Sequence, residues 1–181
     1  MKKTILILAL LLPFLGISQW DMLLLASIQQ AGGGITNLFP TGNGASPTPD
    51  EANSFGTWSA VTATRSVVTG GYDGTYAIQG TMSSGGNGRI EIDITVTSGV
   101  SYNVSYYYKV TGATTRTPGV EQWTGVVTSP TSFWTEDNTW YAQDFDVTTN
   151  STTMKLRFYM DRSTGTGTGT ILVDKVIVTP I

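Results

Sequence analysis

Ile90-Glu91-Ile92-Asp93-Ile94-Thr95-Val96-Thr97 is the stretch that decides the fold. Apolar and polar residues alternate throughout it, which is the period of a β-strand with one buried and one solvated face. The same alternation continues in 102–110, 141–147 and 154–160, and a last strand is predicted at 171–178. No segment after residue 36 shows a convincing helical period. The sequence therefore predicts an all-β domain.

The composition agrees with a strand-and-turn protein. Only 13% of the 181 residues are charged, and Thr, Val, Tyr and Gly are abundant; β-branched and aromatic side chains suit a pleated surface. Shorter strand signals occur at 37–39, 58–68 and 76–82, and the stretch 41–53 is a loop rich in Gly, Pro, Ser and Asp. Eight or nine short strands favour a two-sheet sandwich or a barrel.

The residues that are missing exclude several kinds of chemistry. The chain has no Cys and no His, which excludes disulfides, thiolate nucleophiles, His-based triads and zinc sites built from thiolate or imidazole ligands. Ten basic residues against 13 acidic ones argue against an electrostatic nucleic-acid binder.

The N-terminus has the order of a secretory signal. Met1-Lys2-Lys3 is basic, 5–15 is apolar, and Gly16-Ile17-Ser18 places small residues before a cleavage point. A membrane anchor is the alternative, but Asp21 interrupts an apolar run that is too short to span a bilayer. We expect a signal peptide at 1–18, a flexible leader at 19–36, and no stable membrane insertion after cleavage. Export without Cys favours a secreted or cell-surface protein of a bacterial envelope.

Five short motifs resemble one known family. They are Asn37-Leu38-Phe39-Pro40, Asp73-Gly74-Thr75-Tyr76-Ala77-Ile78, Tyr102-Asn103-Val104-Ser105-Tyr106-Tyr107-Tyr108-Lys109, Trp140, and Leu172-Val173-Asp174-Lys175-Val176. In order and spacing they are similar to jelly-roll carbohydrate-binding modules of the galactose-binding-like superfamily, and the first residues resemble exported proteins of Bacteroidetes-type bacteria. The resemblance implies a jelly-roll β-sandwich of two antiparallel sheets over 37–181.

In such modules one sheet presents its outward side chains to a glycan. Aromatic rings cover the C–H face of a sugar, and polar groups bind its hydroxyls. The first candidate ligand-binding residue is Tyr107, which belongs to the outward set Asn103, Ser105, Tyr107 and Lys109. Two further candidates are Trp123 and Trp134, which lie in a loop-like stretch. The remaining candidates are polar or aromatic residues of two other strands, namely Glu91, Arg157 and Tyr159, with Asp93 on the same face as Glu91. Each ring also has a purely structural interpretation, and each charge has the alternative interpretation of a solvated surface group. Tyr106 and Tyr108 are predicted in the core.

The family resemblance also implies a possible structural calcium ion. Asp174 matches the closing-strand Asp of that pattern, but the opening strand has Gly42-Asn43-Gly44-Ala45 where the family commonly carries a carboxylate. Calcium requires six to eight oxygen ligands, so the missing carboxylate leaves the ion an open question. No other cofactor is expected.

Two carboxylate pairs raise the question of catalysis. Glu91 with Asp93, or Asp144 with Asp146, share a strand face, and a glycosidase needs two such groups. Alternating surface carboxylates more often serve solubility, so we expect no enzyme but a secreted module that binds polysaccharide. The alternative is a structural or adhesive cell-surface or phage-encoded sandwich with no sugar ligand. Aromatics clustered on one face favour binding, and scattered aromatics favour the structural role.

Overall fold

Eight β-strands form the regular structure in the computed structural model, which describes residues 36–82, 88–111, 123–130, 138–160 and 168–181. They are β1 (Ser59–Val61), β2 (Thr64–Thr69), β3 (Tyr76–Met82), β4 (Arg89–Thr95), β5 (Ser101–Thr111), β6 (Tyr141–Thr148), β7 (Thr153–Tyr159) and β8 (Gly169–Pro180). These described ranges contain no helix, so the predicted all-β class is confirmed. It follows that none of them offers an apolar helix of bilayer-spanning length.

The strands pair into two antiparallel sheets. One has three strands in the order β1-β4-β7, and the other has five in the order β2-β3-β8-β5-β6. The predicted jelly-roll β-sandwich is thereby confirmed. The chain crosses from one sheet to the other between β4 and β5, so these two consecutive strands display their outward residues on opposite surfaces of the sandwich.

The core lies between the sheets and is built from the apolar positions of the alternating strands. Its fully buried members include Ile90, Ile92, Ile94, Val104, Met154, Leu156, Ile171, Val173 and Val178. The ring of Phe158 on β7 contacts both Trp58 and Tyr106, with centroid distances of 5.6 and 5.1 Å. Aromatic contacts thus join the two sheets, and the predicted burial of Tyr106 and Tyr108 is confirmed.

The predicted strand at 37–39 is wrong, because this segment runs beside β8 without joining the ladder. Leu38 N–H donates to the Val178 carbonyl at 2.8 Å. The Asn37 side-chain oxygen accepts the Val178 N–H at 2.8 Å and the Phe39 N–H at 3.1 Å. The Asn37 side chain therefore accepts the hydrogen bond that a backbone carbonyl would accept if this segment were a strand paired with β8.

The described residues from Asn37 onward form one compact unit. The predicted signal peptide at 1–18 and the leader at 19–36, apart from its last residue, lie outside the described residues. Those two segments, and the domain boundaries drawn from them, stay predictions.

Candidate functional site

Three aromatic side chains meet on the outer surface of the five-stranded sheet. Tyr107 points outward from β5, and the ring of Tyr72, from the loop before β3, stacks on it with a centroid distance of 3.5 Å and an angle of 12°. Trp140, just before β6, meets Tyr72 edge-on at 6.2 Å. We call Tyr72, Tyr107 and Trp140 the aromatic cluster. Tyr72 is 46% exposed, so the cluster presents flat apolar surface to solvent.

Two ammonium groups border the aromatic cluster. The Nζ of Lys109, two residues after Tyr107 on the same face of β5, lies 5.3 Å from the Trp140 ring centroid. The Nζ of Lys175 lies 6.0 Å from the rings of Tyr72 and Tyr107. These distances are within the range of cation–π attraction, which keeps both charges at the edge of the rings.

A buried carboxylate fixes the loop that carries Tyr72. The backbone N–H groups of Tyr72 and Asp73 donate to Oδ2 of Asp174 at 2.6 and 2.8 Å. A Cβ at Gly71 would collide with the Tyr76 carbonyl and the Asp174 carboxylate, so only glycine permits this close approach. Hydrogen bonds to an ionised acceptor are strong, and the Tyr72 ring is therefore held in place on Tyr107.

A second carboxylate, that of Glu51, binds the other end of the same loop. Glu51 accepts the N–H groups of Thr75 and Tyr76 at 2.9 and 2.6 Å. Gly74, between the two anchors, has a φ of 92°, which favours glycine. The loop that presents Tyr72 is thus tied down at both ends.

Two of these groups have shifted acidities. Burial raises the pKa of Asp174 to about 6, and the negative charge of Glu51 acts in the same direction, although three backbone N–H donors oppose it. The pKa of the Tyr72 phenol is also raised, chiefly by the neighbouring Tyr107 phenol.

A polar group lies further along β5. Nδ2 of Asn103 donates to Oδ1 of Asp144 at 2.6 Å and to Oδ1 of Asp146 at 2.9 Å, across the β5–β6 pair. We call these three residues the amide–carboxylate cluster. Tyr107 is four positions after Asn103, so the two residues lie about 13 Å apart along the strand.

Three predicted ligand residues do not belong to this surface. Glu91 on β4, and Arg157 and Tyr159 on β7, lie in the three-stranded sheet and face the opposite side of the sandwich from Tyr107. The expectation that they join Tyr107 in one site is wrong. Alternation shows which residues point outward but does not show to which sheet a strand belongs.

Glu91 is instead the centre of an ion network. Its carboxylate lies 2.9 Å from Nε of Arg89, 3.4 Å from Nζ of Lys155 and 3.2 Å from Nε of Arg157. Burial alone would raise the pKa of Glu91, but the hydrogen bond and charge of Arg89, with those of Lys155, hold it below its ordinary value. Tyr159 is buried, with the guanidinium of Arg89 5.4 Å from its ring centroid.

Trp123 also differs from the prediction of an exposed loop ring. Its side chain is 2% exposed and packs against Tyr106 and Phe145. Thr124 forms a β-bridge with Lys155 at the edge of β7, and this bridge places the indole of Trp123 inside the sandwich. The ring is part of the core. Trp134 lies outside the described residues, so its role stays a prediction.

The surroundings of Asp174 do not fit the calcium site that the family resemblance implies. Oδ2 accepts the two N–H groups of the Tyr72 loop, and Oδ1 accepts the N–H of Lys175 at 2.6 Å. Calcium requires converging oxygen ligands rather than N–H donors. The described part of the chain contains no group of three or more acidic side chains arranged for a metal ion.

Sequence reasoning missed Tyr72. It lies in Gly70-Gly71-Tyr72-Asp73-Gly74, a glycine-rich segment whose composition predicts only a turn before the strand at 76–82. A single aromatic residue in a glycine-rich loop is a usable signal, because a turn needs no large apolar side chain. Trp140, named above only as one motif of the family resemblance, is half-buried and joins the cluster.

Comparison with known proteins gives similarity at the level of fold. No protein-family model and no curated protein matches the chain. The CBM22-1 xylan-binding domain of Paenibacillus barcinonensis Xyn10C superposes with a TM-score of 0.54 at 14% identity, covering 81% of this chain and 95% of that domain. TmCBM61, solved with β-1,4-galactotriose, gives 0.52 at 12% identity, covering 71% and 92%.

A phage protein is similar as well. The enzymatically active domain of tailspike protein 4 from bacteriophage CBA120 superposes with a TM-score of 0.56 at 14% identity, over 80% of this chain. The chain spans only 21% of that tailspike domain. In the parts that superpose, all three structures have the fold of this sandwich.

Proposed function

We propose that this chain is a secreted, non-catalytic protein that binds polysaccharide on the outer face of its five-stranded sheet. The observation that carries the proposal is the aromatic cluster, in which Tyr107 supports an exposed Tyr72 ring. A large ring left in solvent has no role in the core of this domain, and it offers the flat apolar surface on which a sugar ring stacks.

The surface also offers the polar groups that a glycan needs. Lys109 can donate hydrogen bonds, and the amide–carboxylate cluster supplies acceptors on two exposed residues of β6, Asp144 and Asp146. Sugar hydroxyls both donate and accept, so such a mixture suits them. Because the ring and carboxylate sites lie about 13 Å apart, a polysaccharide chain is the ligand that reaches both.

The similar solved structures support this proposal through their fold. One is named a xylan-binding domain and another was solved with a galactotriose. Those ligands belong to those proteins, and this chain's own sugar is open. Catalysis is not proposed, since the carboxylate of Glu91 is engaged by three cations and its pKa is held low.

The alternative is a structural or adhesive sandwich without a sugar ligand. Scattered aromatics would favour it, but three rings of the described residues gather on one surface. Phe55, 42% exposed, lies beside Arg65 on β2, which is three strands away from β5 in the sheet. This distribution favours binding.

The test is binding of the full chain to insoluble polysaccharides and a glycan array, with two matched variants. Tyr72→Ala should weaken binding by about 1–3 kcal/mol and leave the melting temperature nearly unchanged. Phe55→Ala removes a ring of similar exposure elsewhere and should leave binding intact. Failure of the parent to bind any glycan, or equal binding by both variants, would refute the proposal in favour of the structural role.

A further inference from the structure

We propose that the glycan carries an acidic group, a uronic acid carboxylate or an equivalent anionic substituent, which Lys109 and Lys175 bind at the edge of the aromatic cluster. This inference rests on the proposed function and names the class of sugar that the same surface selects.

The state of Lys109 is the first observation. Its ammonium group lies over the Trp140 ring, and among the residues that the structure describes no carboxylate lies within ion-pair distance of it. A ring orients the charge but does not neutralise it. As far as the described residues go, Lys109 therefore keeps its hydrogen-bond donors for a ligand placed on Tyr72.

Lys175 adds a second charge on the tyrosine side of the cluster. Its Nζ lies 6.0 Å from the rings of Tyr72 and Tyr107 and 3.7 Å from Oδ2 of Asp73. That pair is long and partly exposed, so it binds weakly and a ligand carboxylate can compete for the ammonium group. Two cations thus border the rings that would hold the sugar.

The cations on the other sheet show that this arrangement is particular to the site. Arg89, Lys155 and Arg157 all contact the carboxylate of Glu91. On the five-stranded sheet the acidic residues Asp144 and Asp146 bind the Asn103 amide rather than a lysine. The positive charge beside the aromatic cluster is therefore the part of this surface that suits an anion.

Isothermal titration of the full chain with paired ligands tests the inference. The probes are neutral β-1,4-linked xylo-, galacto- and gluco-oligosaccharides and versions of each that carry a uronic acid residue. We expect tighter binding of the acidic member, by about threefold for each lysine at low salt. The preference should disappear at about 1 M salt, where charges are screened within ~3 Å.

Lys109→Gln and Lys175→Gln should each weaken binding of the acidic member more than binding of the neutral member and so lower the preference, and Lys109→Arg should retain it. Arg65→Gln is the matched control, because Arg65 also lies over an exposed ring, that of Phe55, but on β2, three strands away from β5. Equal affinity of the parent for both members of every pair would overturn this inference and leave glycan binding standing. Binding of neither member would overturn both proposals.

Discussion

Both outer surfaces of the sandwich are formed by strands that alternate buried and outward residues, but the two surfaces differ in the side-chain groups that they present to solvent. On the three-stranded sheet, three basic side chains lie within ion-pair distance of Glu91, and Arg89 and Lys155 also donate hydrogen bonds to it. On the five-stranded sheet, Tyr72 and Trp140 pack around Tyr107 and Lys109 rests on a ring. A surface whose charges pair internally stabilises itself, whereas a surface of supported rings, with a lysine that has no ion pair among the described residues, is suited to a ligand.

Cross-strand pairing explains the difference. Glu91 lies directly opposite Arg157, and Asp93 directly opposite Lys155, so opposite charges meet. Tyr107 instead has the small Ala142 on one side and the buried Asp174 on the other. A small neighbour and a carboxylate that binds loop N–H groups leave room for Tyr72 to cover Tyr107.

The largest effect on stability should come from Trp123, the aromatic residue that lies in the core rather than on either outer surface. Trp123→Ala should lower the free energy of unfolding by about 3–5 kcal/mol, because it empties a core site. Urea denaturation measures this, with Tyr72→Ala as the exposed comparison. A loss below about 1 kcal/mol for Trp123→Ala would return this residue to the list of candidate binding rings.

The ion network should give the next largest effect. Glu91→Gln leaves three cations without their shared carboxylate and should cost about 1–3 kcal/mol of unfolding free energy. Asp93→Asn is the control, since Asp93 is largely exposed and contacts only Lys155; its cost should stay below about 1 kcal/mol. Equal costs in denaturation would show that the network does not stabilise this sheet.

The two surfaces should also respond to pH with opposite signs. The pKa of Asp174 is raised to about 6 in the folded protein from an ordinary 3.8, so the native state binds more protons between these values. Stability should therefore rise as pH falls through this window, by about 1–2 kcal/mol. The pKa of Glu91 is lowered from 4.5, so its contribution is present above that value and is lost as pH falls further.

Thermal melts across this range would separate the two groups. Asp174→Asn should remove the rise, and Glu91→Gln should reduce the fall at lower pH. One result would contradict the role given to Asp174: the melting temperature of the parent declines steadily as pH falls from neutral, and Asp174→Asn shows the same decline.

The smallest effect should be that of salt on binding of a neutral glycan. Stacking on Tyr72 depends on area and on the ring quadrupole, so affinity should change by less than about twofold between about 0.05 and 0.5 M salt. A loss of about tenfold would mean that charge, rather than the aromatic cluster, carries neutral binding.

The alternating strands and the outward position of Tyr107 could be predicted from the sequence, because strand alternation is a local property. The sequence did not reveal that β4 and β5 lie in different sheets, which depends on long-range pairing, and so Glu91 was counted with Tyr107 among the candidates for one site. Trp123 was misjudged because its burial comes from a bridge to β7. Tyr72 was missed because its stacking depends on Asp174, 102 residues away.

The indole N–H resonances of tryptophan, followed by NMR while a bound polysaccharide fragment is titrated into the full chain, test the central claim most directly. Trp140 lies in the aromatic cluster, and Trp58 and Trp123 are buried between the sheets. The account predicts that the Trp140 signal shifts with saturation while those of Trp58 and Trp123 stay in place. Binding that leaves Trp140 unmoved would contradict it.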